Sequence, residues 1–329
     1  MNYSESKLIL EKIKNAKKIL INCHYSPDPD SVGAALSFYQ VLKDMNKNAT
    51  VYAPGKISNG LNFLPHINEV EVVNFEKIDY SAFDLFISLD SSTWTNIVGN
   101  DKFPQPKIDM VVIDHHKSNK GYGFVNLIDG KCVSTCEMLF LLFQDWGIDI
   151  NSNIATTLLT GIIADSGAFR YPATTGKTLN IAAKLMESGA DKDKIVFNLF
   201  QSSEFEIFKF WGLALDKLQK ENNLVWTAVS YDDYLKLGSP LKAKSSFASV
   251  FLQTIEGTDF GFIIVEERPG LVDISFRSRT GTVDTSKIAS EFGGGGHIWA
   301  SGARIEGVTF KEAVEKVLEV ARKYAKKTN

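Results

Sequence analysis

Three short polar clusters follow directly on apolar runs in the first third of the chain. His24-Tyr25-Ser26-Pro27-Asp28-Pro29-Asp30 follows KILINC, Asp90-Ser91-Ser92 follows DLFISL, and Asp114-His115-His116 follows MVVI. A fourth acid, Asp165, closes the run TGIIAD. Each alone has an ordinary explanation. An aspartate before a helix is commonly an N-cap, and Asp-Pro-Asp is a turn signal. A histidine pair at a strand end is commonly structural, and Asp165 alone simply ends a helix. The set is harder to explain that way. Carboxylates gathered at one edge repel one another and have raised pKa values, a penalty that divalent cations remove. A mixed carboxylate and imidazole set suits Mn²⁺ best, with Mg²⁺ or Co²⁺ as alternatives, rather than a thiolate zinc site. Carboxylates also bridge, so two ions about 3.5–4 Å apart fit such a set.

These clusters can converge only if the elements before them are neighbours. KILINC, ATVYA (49–53), DLFISL (84–89) and MVVI (110–113) read as strands, with amphipathic stretches such as 31–45 between them. Strand–helix repetition implies an α/β fold with a parallel sheet covered by helices. The strands are apolar at consecutive positions, as two buried faces require. In such sheets ligands bind at the carboxyl edge, where all three clusters lie. From Ser134 the pattern becomes helical. Ser134 with Glu137 predicts a capping box, and further helices are expected over 154–163 and 175–187. A charged helical stretch spans 191–223, with a domain break near 195–205. Beyond it LVWTAVS, FGFIIVEE and LVDISFRS read as strands, the last two joined by a turn at Arg268-Pro269-Gly270 into a hairpin. A last helix is expected over 310–325.

The 329 residues favour two domains. With 44% hydrophobic and 23% charged residues the chain can bury substantial cores. Acidic residues outnumber basic ones 39 to 36, for a net charge of −3, which disfavours a protein that coats long nucleic acid. No apolar run spans a bilayer and the N-terminus lacks a signal-peptide core, so no membrane partner is expected. Three cysteines, Cys23, Cys132 and Cys136, are too few for a disulfide scaffold and read as buried reduced thiols in a cytoplasmic protein. Cys132 and Cys136 lack the neighbours that would complete a tetrahedral metal site.

One further motif lies near the C-terminal end. The glycines at 293–296 precede His297, and Arg277 and Arg279 lie on or just past the preceding strand, on one face at spacing two. Glycine runs are commonly flexible turns. The alternative is a close-approach surface whose N–H groups cradle an anion, with arginine forks beside it. His66, Phe169 and Arg170 carry less: a loop residue and two residues that could border the site, Phe169 by base stacking. The tryptophans and 22 phenylalanines read as core.

HYSPDPDSVGA, the aspartate of SLDSS, IDHH and GIIADSGAF together resemble the four motifs of the DHH phosphoesterase superfamily, and SFRSRTGTVDTSKIASEFGGGGHIWASGA resembles its DHHA1 domain. The resemblance covers nearly the whole chain and is most similar to the stand-alone nanoRNase/pAp phosphatase subgroup. It implies a DHH catalytic domain over 1–195, a helical connector over 196–222 and a smaller α/β DHHA1 substrate-binding domain over 223–329. By motif position it implies that His24 and Asp28 hold one metal, that Asp30, His115 and Asp165 hold the other, and that Asp90 bridges them. Asp114 would orient the histidines, and His116 would face the substrate phosphate. Arg277, Arg279, Gly294, Gly295, Gly296 and His297 would bind substrate. One departure is visible: the first motif often continues Gly-Ser, whereas here it reads Gly33-Ala34, which removes no ligand.

The activity so implied is two-metal hydrolysis of short oligoribonucleotides and of 3′-phosphoadenosine 5′-phosphate. Cyclic-di-AMP or pApA phosphodiesterase activity is the alternative, and a non-catalytic nucleotide-binding regulator belongs to a different class. A RecJ-like exonuclease would want a further DNA-binding domain, and the C-terminal signature of manganese pyrophosphatases is absent. The expected partner is short RNA or a small nucleotide rather than long duplex nucleic acid, with a homodimer left open.

Overall fold

A computed structural model describes residues 2–240 and 243–325 of the chain. It forms two compact units, one up to Ser202 and one from Ser203.

In the first unit the order is α1 (Ser6–Asn15), β1 (Lys18–Asn22), α2 (Pro29–Asp44), β2 (Asn48–Ala53), β3 (Val70–Val72), β4 (Leu85–Leu89), α3 (Trp94–Val98), β5 (Met110–Asp114) and β6 (Val125–Ile128), then α4 (Thr135–Asp145), α5 (Ser152–Asp165), α6 (Gly176–Glu187) and α7 (Lys192–Phe200). All strand pairs are parallel, in the order β3-β2-β1-β4-β5-β6. The expected α/β architecture is therefore present, with outer strands β3 and β6 that the residue pattern did not announce. Alternate residues feed two cores. Ile19, Ile21, Ile87, Val111 and Ile113 pack with residues of α2, α4 and α5. Leu20, Phe86, Met110 and Val112 pack with Phe75, Phe83 and Trp94. Each strand is thus apolar on both sides of its pleat, which is why consecutive positions are hydrophobic.

The chain runs outward from β1 to β3, then returns to lay β4 on the other side of β1 and runs outward again to β6. The order reverses between β1 and β4, so the crevice beyond their carboxyl ends lies between diverging connections. His24 and Asp90 follow these two strands.

Two helices that border this crevice approach unusually closely. Glycine costs a helix interior about 1 kcal/mol relative to alanine, so its presence there wants a reason. A Cβ on Gly161 in α5 would sit 2.4 Å from Cys136 Sγ, 2.5 Å from Asp30 Oδ1 and 3.0 Å from Asp30 Cα. A Cβ on Gly33 in α2 would sit 2.5 Å from the Thr157 carbonyl oxygen. The bare backbones let α2 and α5 meet with Asp30 between them. Gly161→Ala is therefore expected to destabilise the protein by about 1–3 kcal/mol through overpacking, despite its better helix propensity. Denaturant midpoints measure this, and an unchanged or raised midpoint would contradict the close approach.

The second unit contains α8 (Phe205–Asp216), β7 (Gln219–Glu221), β8 (Leu224–Val229), α9 (Tyr231–Lys236), α10 (Ala243–Phe251), β9 (Phe260–Arg268), β10 (Leu271–Ser278), α11 (Thr285–Ser290), β11 (Gly295–Gly296), β12 (Ala300–Glu306) and α12 (Phe310–Tyr324). Its sheet runs β11-β12-β10-β9-β8-β7, antiparallel except for β8 with β9. Phe210, Phe247, Ile263 and Val265 form the core on one face, and Phe260, Phe262, Ile264, Ile288 and Val317 the core on the other. The β9–β10 hairpin turns at Pro269-Gly270, with Gly270 at φ +75°. Within the stretch 196–222, residues from Ser203 onward are built into this second unit.

No helix among the described residues is long and apolar enough to cross a membrane.

Candidate metal centre

Asp28 is the N-cap of α2, its Oδ1 accepting the Ser31 N–H at 2.9 Å, with Pro29 set in the first turn. Ser31 in turn accepts the His24 N–H at 2.9 Å, which fixes the loop after β1. Capping uses one oxygen of Asp28; the other lies 3.4 Å from His24 Nε2. The ordinary N-cap reading and the ligand reading are thus compatible for the same side chain.

Asp90 leaves β4 at φ +51°, a conformation aspartate tolerates better than most residues. Asn22, fully buried at the end of β1, clamps this exit: its Oδ1 accepts the Leu89 N–H at 3.1 Å and its Nδ2 donates to Ser91 Oγ at 3.3 Å. The Asp90 carboxylate is 2% exposed and central. Its Oδ2 lies 3.6 Å from His24 Nε2, and its Oδ1 lies 3.5 Å from His115 Nε2. His115 Nε2 is also 3.3 Å from Asp165 Oδ2, at the last residue of α5.

Asp30 is completely buried. Its Oδ2 accepts the Thr135 N–H at 2.7 Å and its Oδ1 the Cys136 N–H at 3.0 Å, both from the first turn of α4. That helix is capped by Ser134, which accepts the Glu137 N–H at 3.0 Å. The expected reciprocal half of the capping box is not made: Glu137 Oε2 accepts from Val133 N–H instead, and the Glu137 carboxylate also accepts the Thr178 hydroxyl.

The donor atoms assemble into overlapping groups: His24 with Asp28 and Asp90, Asp30 with His115 and Asp165, and Asp90 with His115 and His116. Within each group the atoms lie within 4.8 Å of one another. Among the described residues no such group contains a cysteine, and Cys132 lies instead against Tyr3 and Asp129. The electrostatics fit a cation. Burial and the neighbouring Asp90 charge push Asp30 up to about 7, and burial with the Asp28 charge pushes Asp90 up to about 6. Burial and Asp30 raise Asp165 well above the usual carboxylate range. Burial works against a charge on His24, yet Asp28 and Asp90 hold its pKa near 9. Protons alone hold such a cluster together into the neutral range, and hard oxygen donors with imidazole are what divalent ions replace them on.

His116 differs from His115. Its Nδ1 pairs with Asp114 Oδ1 at 2.6 Å. Asp114 is fixed by Asn119, whose Nδ2 donates to Asp114 Oδ2 at 2.8 Å and to the Ser91 carbonyl at 3.2 Å. Burial opposes a charge on His116, but the Asp114 hydrogen bond and the Asp90 charge outweigh it and raise its pKa to about 9. The same Nδ1 lies 3.7 Å from Asp90 Oδ1. Asn22, Asn119 and Thr135 were not singled out by sequence, since a lone buried amide or hydroxyl leaves no pattern. His66 lies elsewhere, pairing with Gln40.

In the second unit, Arg277 and the His297 turn meet at one end of the sheet. Arg277 on β10 pairs in register with Ala300, and the His297 N–H donates to the Ala300 carbonyl at 2.7 Å. Arg277 Nη2 donates to Ser249 Oγ at 3.1 Å. Arg279 lies past the strand end, where its guanidinium donates to the Thr258 carbonyl at 3.4 Å. Two of the four glycines are in close contact: a Cβ on Gly294 would meet the Gly302 carbonyl oxygen at 2.2 Å, and one on Gly296 would meet the Ala300 carbonyl oxygen at 2.6 Å, whereas one on Gly293 or Gly295 would meet nothing among the described residues within 4 Å. The Gly294 N–H donates to the Ala289 carbonyl and closes α11. Gly295 and Gly296 form β11 and are exposed.

Comparison with known proteins adds to this geometry. The N-terminal domain of the DHH family matches residues 18–162 and the DHHA1 domain matches residues 234–327. The bifunctional oligoribonuclease and PAP phosphatase of Thermus thermophilus is 30% identical over 97% of this chain and 94% of its own. That of Bacillus subtilis is 26% identical over 87% of this chain and 89% of its own. Among solved structures, an exopolyphosphatase-related protein from Bacteroides fragilis has a TM-score of 0.88 at 24% identity, covering 98% of this chain and 96% of that one; it shares the fold.

Proposed function

This chain belongs to the DHH family, and on that premise we propose that it is a two-metal phosphoesterase of short oligoribonucleotides that also removes the 3′-phosphate of 3′-phosphoadenosine 5′-phosphate. The observation that carries the reading is Asp90, a buried carboxylate with one oxygen toward His24 and the other toward His115. His24, Asp28 and Asp90 would hold one ion, and Asp30, Asp90, His115 and Asp165 the other, with Mn²⁺ the best match and Mg²⁺ or Co²⁺ as substitutes. Ions so held supply Lewis acidity and lower the pKa of water near phosphorus.

In the reaction, water oxygen bonds to phosphorus as the ester P–O bond breaks, leaving a phosphate and an alcohol. His116, held cationic by Asp114, presents Nε2–H to a phosphoryl oxygen and stabilises the charge that develops there. Arg277, His297 and the exposed Gly295–Gly296 strand of the second unit are read as substrate-binding, with Arg279 in a lesser role. The net charge of −3 offers little to a long strand, whose affinity comes from many phosphate contacts.

One Mn²⁺ assay compares pApA, a five-nucleotide RNA, a 24-nucleotide RNA, cyclic di-AMP, 3′-phosphoadenosine 5′-phosphate and pyrophosphate. Highest kcat/KM is expected on the two short RNAs, with measurable phosphate release from the bisphosphate. Equal kcat/KM for the dinucleotide and the 24-mer would refute the short-substrate reading. A preference for cyclic di-AMP would move the assignment to the second-messenger phosphodiesterases, and absence of turnover on all six would leave a nucleotide-binding regulator.

A further inference from the structure

Thr135 is fully buried at the first position of α4, where it touches two acids of the cluster at once. Its N–H donates to Asp30 Oδ2 at 2.7 Å, and its hydroxyl donates to Asp90 Oδ1 at 3.0 Å. A hydroxyl at a helix start ordinarily caps the helix, but here Ser134 already does so. The Thr135 hydroxyl is therefore not needed to start α4, and its hydrogen bond reaches across to β4, 45 residues away in sequence.

The effect on Asp90 follows from how a carboxylate moves. The terminal torsion of aspartate is broad and roughly two-fold, so burial alone does not decide where its two oxygens point. A donor fixed on a helix does decide it. With Oδ1 tied to Thr135, Oδ1 faces His115 and Oδ2 faces His24, the orientation that a carboxylate shared between two ions requires. Through the neighbouring amide the same residue holds Asp30, so a single rigid point of α4 sets the relative placement of the two acids.

We infer that Thr135 is a positioning residue for the metal centre, its hydroxyl fixing the plane of Asp90 so that the two ions bind together. This rests on the two-metal reading above. Its backbone contribution to Asp30 survives any side-chain change, so the hydroxyl can be tested separately. Thr135→Val removes the hydroxyl and keeps the branched shape, Thr135→Ala removes the whole group beyond Cβ, and Thr135→Ser keeps the hydroxyl and loses only the methyl.

The experiment is calorimetric titration of the metal-free full chain with MnCl₂, alongside thermal melts of the same metal-free samples. The wild type is expected to bind two ions. Thr135→Val and Thr135→Ala are expected to weaken Mn²⁺ binding about 10–100-fold, as for residues that orient a metal ligand, while Thr135→Ser restores affinity to near wild type. A role confined to packing predicts the opposite order, with Thr135→Val nearest the wild type and Thr135→Ser impaired with its lost methyl. Wild-type Mn²⁺ affinity in both hydroxyl-less variants would overturn the inference alone. Failure of the wild type to bind Mn²⁺ would overturn the two-metal reading and this inference together.

Discussion

Asp90→Ala is expected to abolish metal-dependent phosphoester hydrolysis while leaving a folded protein. The loss should exceed the roughly 10–100-fold typical of residues that merely support a ligand, because Asp90 is shared between the two donor groups. His24 and Asp28 without Asp90 are one acid and one imidazole, and the other group loses its link to them. Removing the buried acid also relieves the repulsion that pushes Asp30 up, so folding itself should not suffer from lost charge. The backbone is the confounding factor, since alanine at φ +51° is less comfortable than aspartate. Asp90→Asn, which keeps both shape and tolerance of that conformation, controls for it. Turnover and Mn²⁺ titration on both variants decide the matter: near-wild-type turnover by either folded protein would sink the shared-ligand assignment.

His115→Ala and His116→Ala are expected to fail in different ways. His115 Nε2 faces both Asp90 and Asp165 at 3.3–3.5 Å, so its loss should weaken the metal site that Asp30 and Asp165 share. His116 has its Nδ1 on Asp114, so His116→Ala should keep full Mn²⁺ stoichiometry and lower kcat through lost charge stabilisation, by about 10²–10³-fold if Nε2–H serves as a donor to the transition state. His116 is also grouped with Asp90 and His115, its Nδ1 3.7 Å from Asp90 Oδ1, so the opposite assignment can be tested. Equal loss of Mn²⁺ in the two variants would show that both rings bind metal.

What the sequence made legible follows from which signals are local. The strands β1, β2, β4, β5, β8, β9 and β10 were visible because they are apolar runs, and the β9–β10 hairpin because Pro269-Gly270 is a turn with a mechanism. β12 was missed because ASGARIE carries small and charged residues; its partners β10 and β11 make it a strand. β3 and β6 are short edges whose pairing is likewise supplied by a neighbour. At the site, the acids and histidines other than Asp165, which ends α5, stood out because they follow strands. Their convergence depends on β4 returning beside β1, and strand order is not written in any one segment. Asn22 and Asn119, which hold Asp90 and Asp114, are single amides whose meaning comes only from what they touch. The glycine run was read as either a flexible turn or a close-approach surface that cradles an anion; in the fold Gly294 and Gly296 lie against β12 more closely than a side chain would allow.

The way α2 is tied down has a consequence for where this chain can change length. Its first residues are fixed at three points: Asp28 caps it, Asp30 is held by α4, and Gly33 lies against α5. An insertion or deletion between His24 and Gly33 would have to disturb at least one of these or the hydrogen bond from the His24 N–H to Ser31 Oγ, because a helix advances about 100° per residue and a one-residue slip turns every side chain away from its partner. The route from β3 to β4 is built differently, from short turns over residues 75–82, and it enters β4 at the end of the sheet away from Asp90. Apart from Phe75 and Phe83, which pack into the core, the connection from 73 to 84 is exposed or half-buried and can absorb added residues at small cost, since closing a longer loop costs only about 0.6 kcal/mol per doubling of its length. Relatives of this chain should therefore vary in length between β3 and β4 and keep a constant spacing from His24 to Gly33.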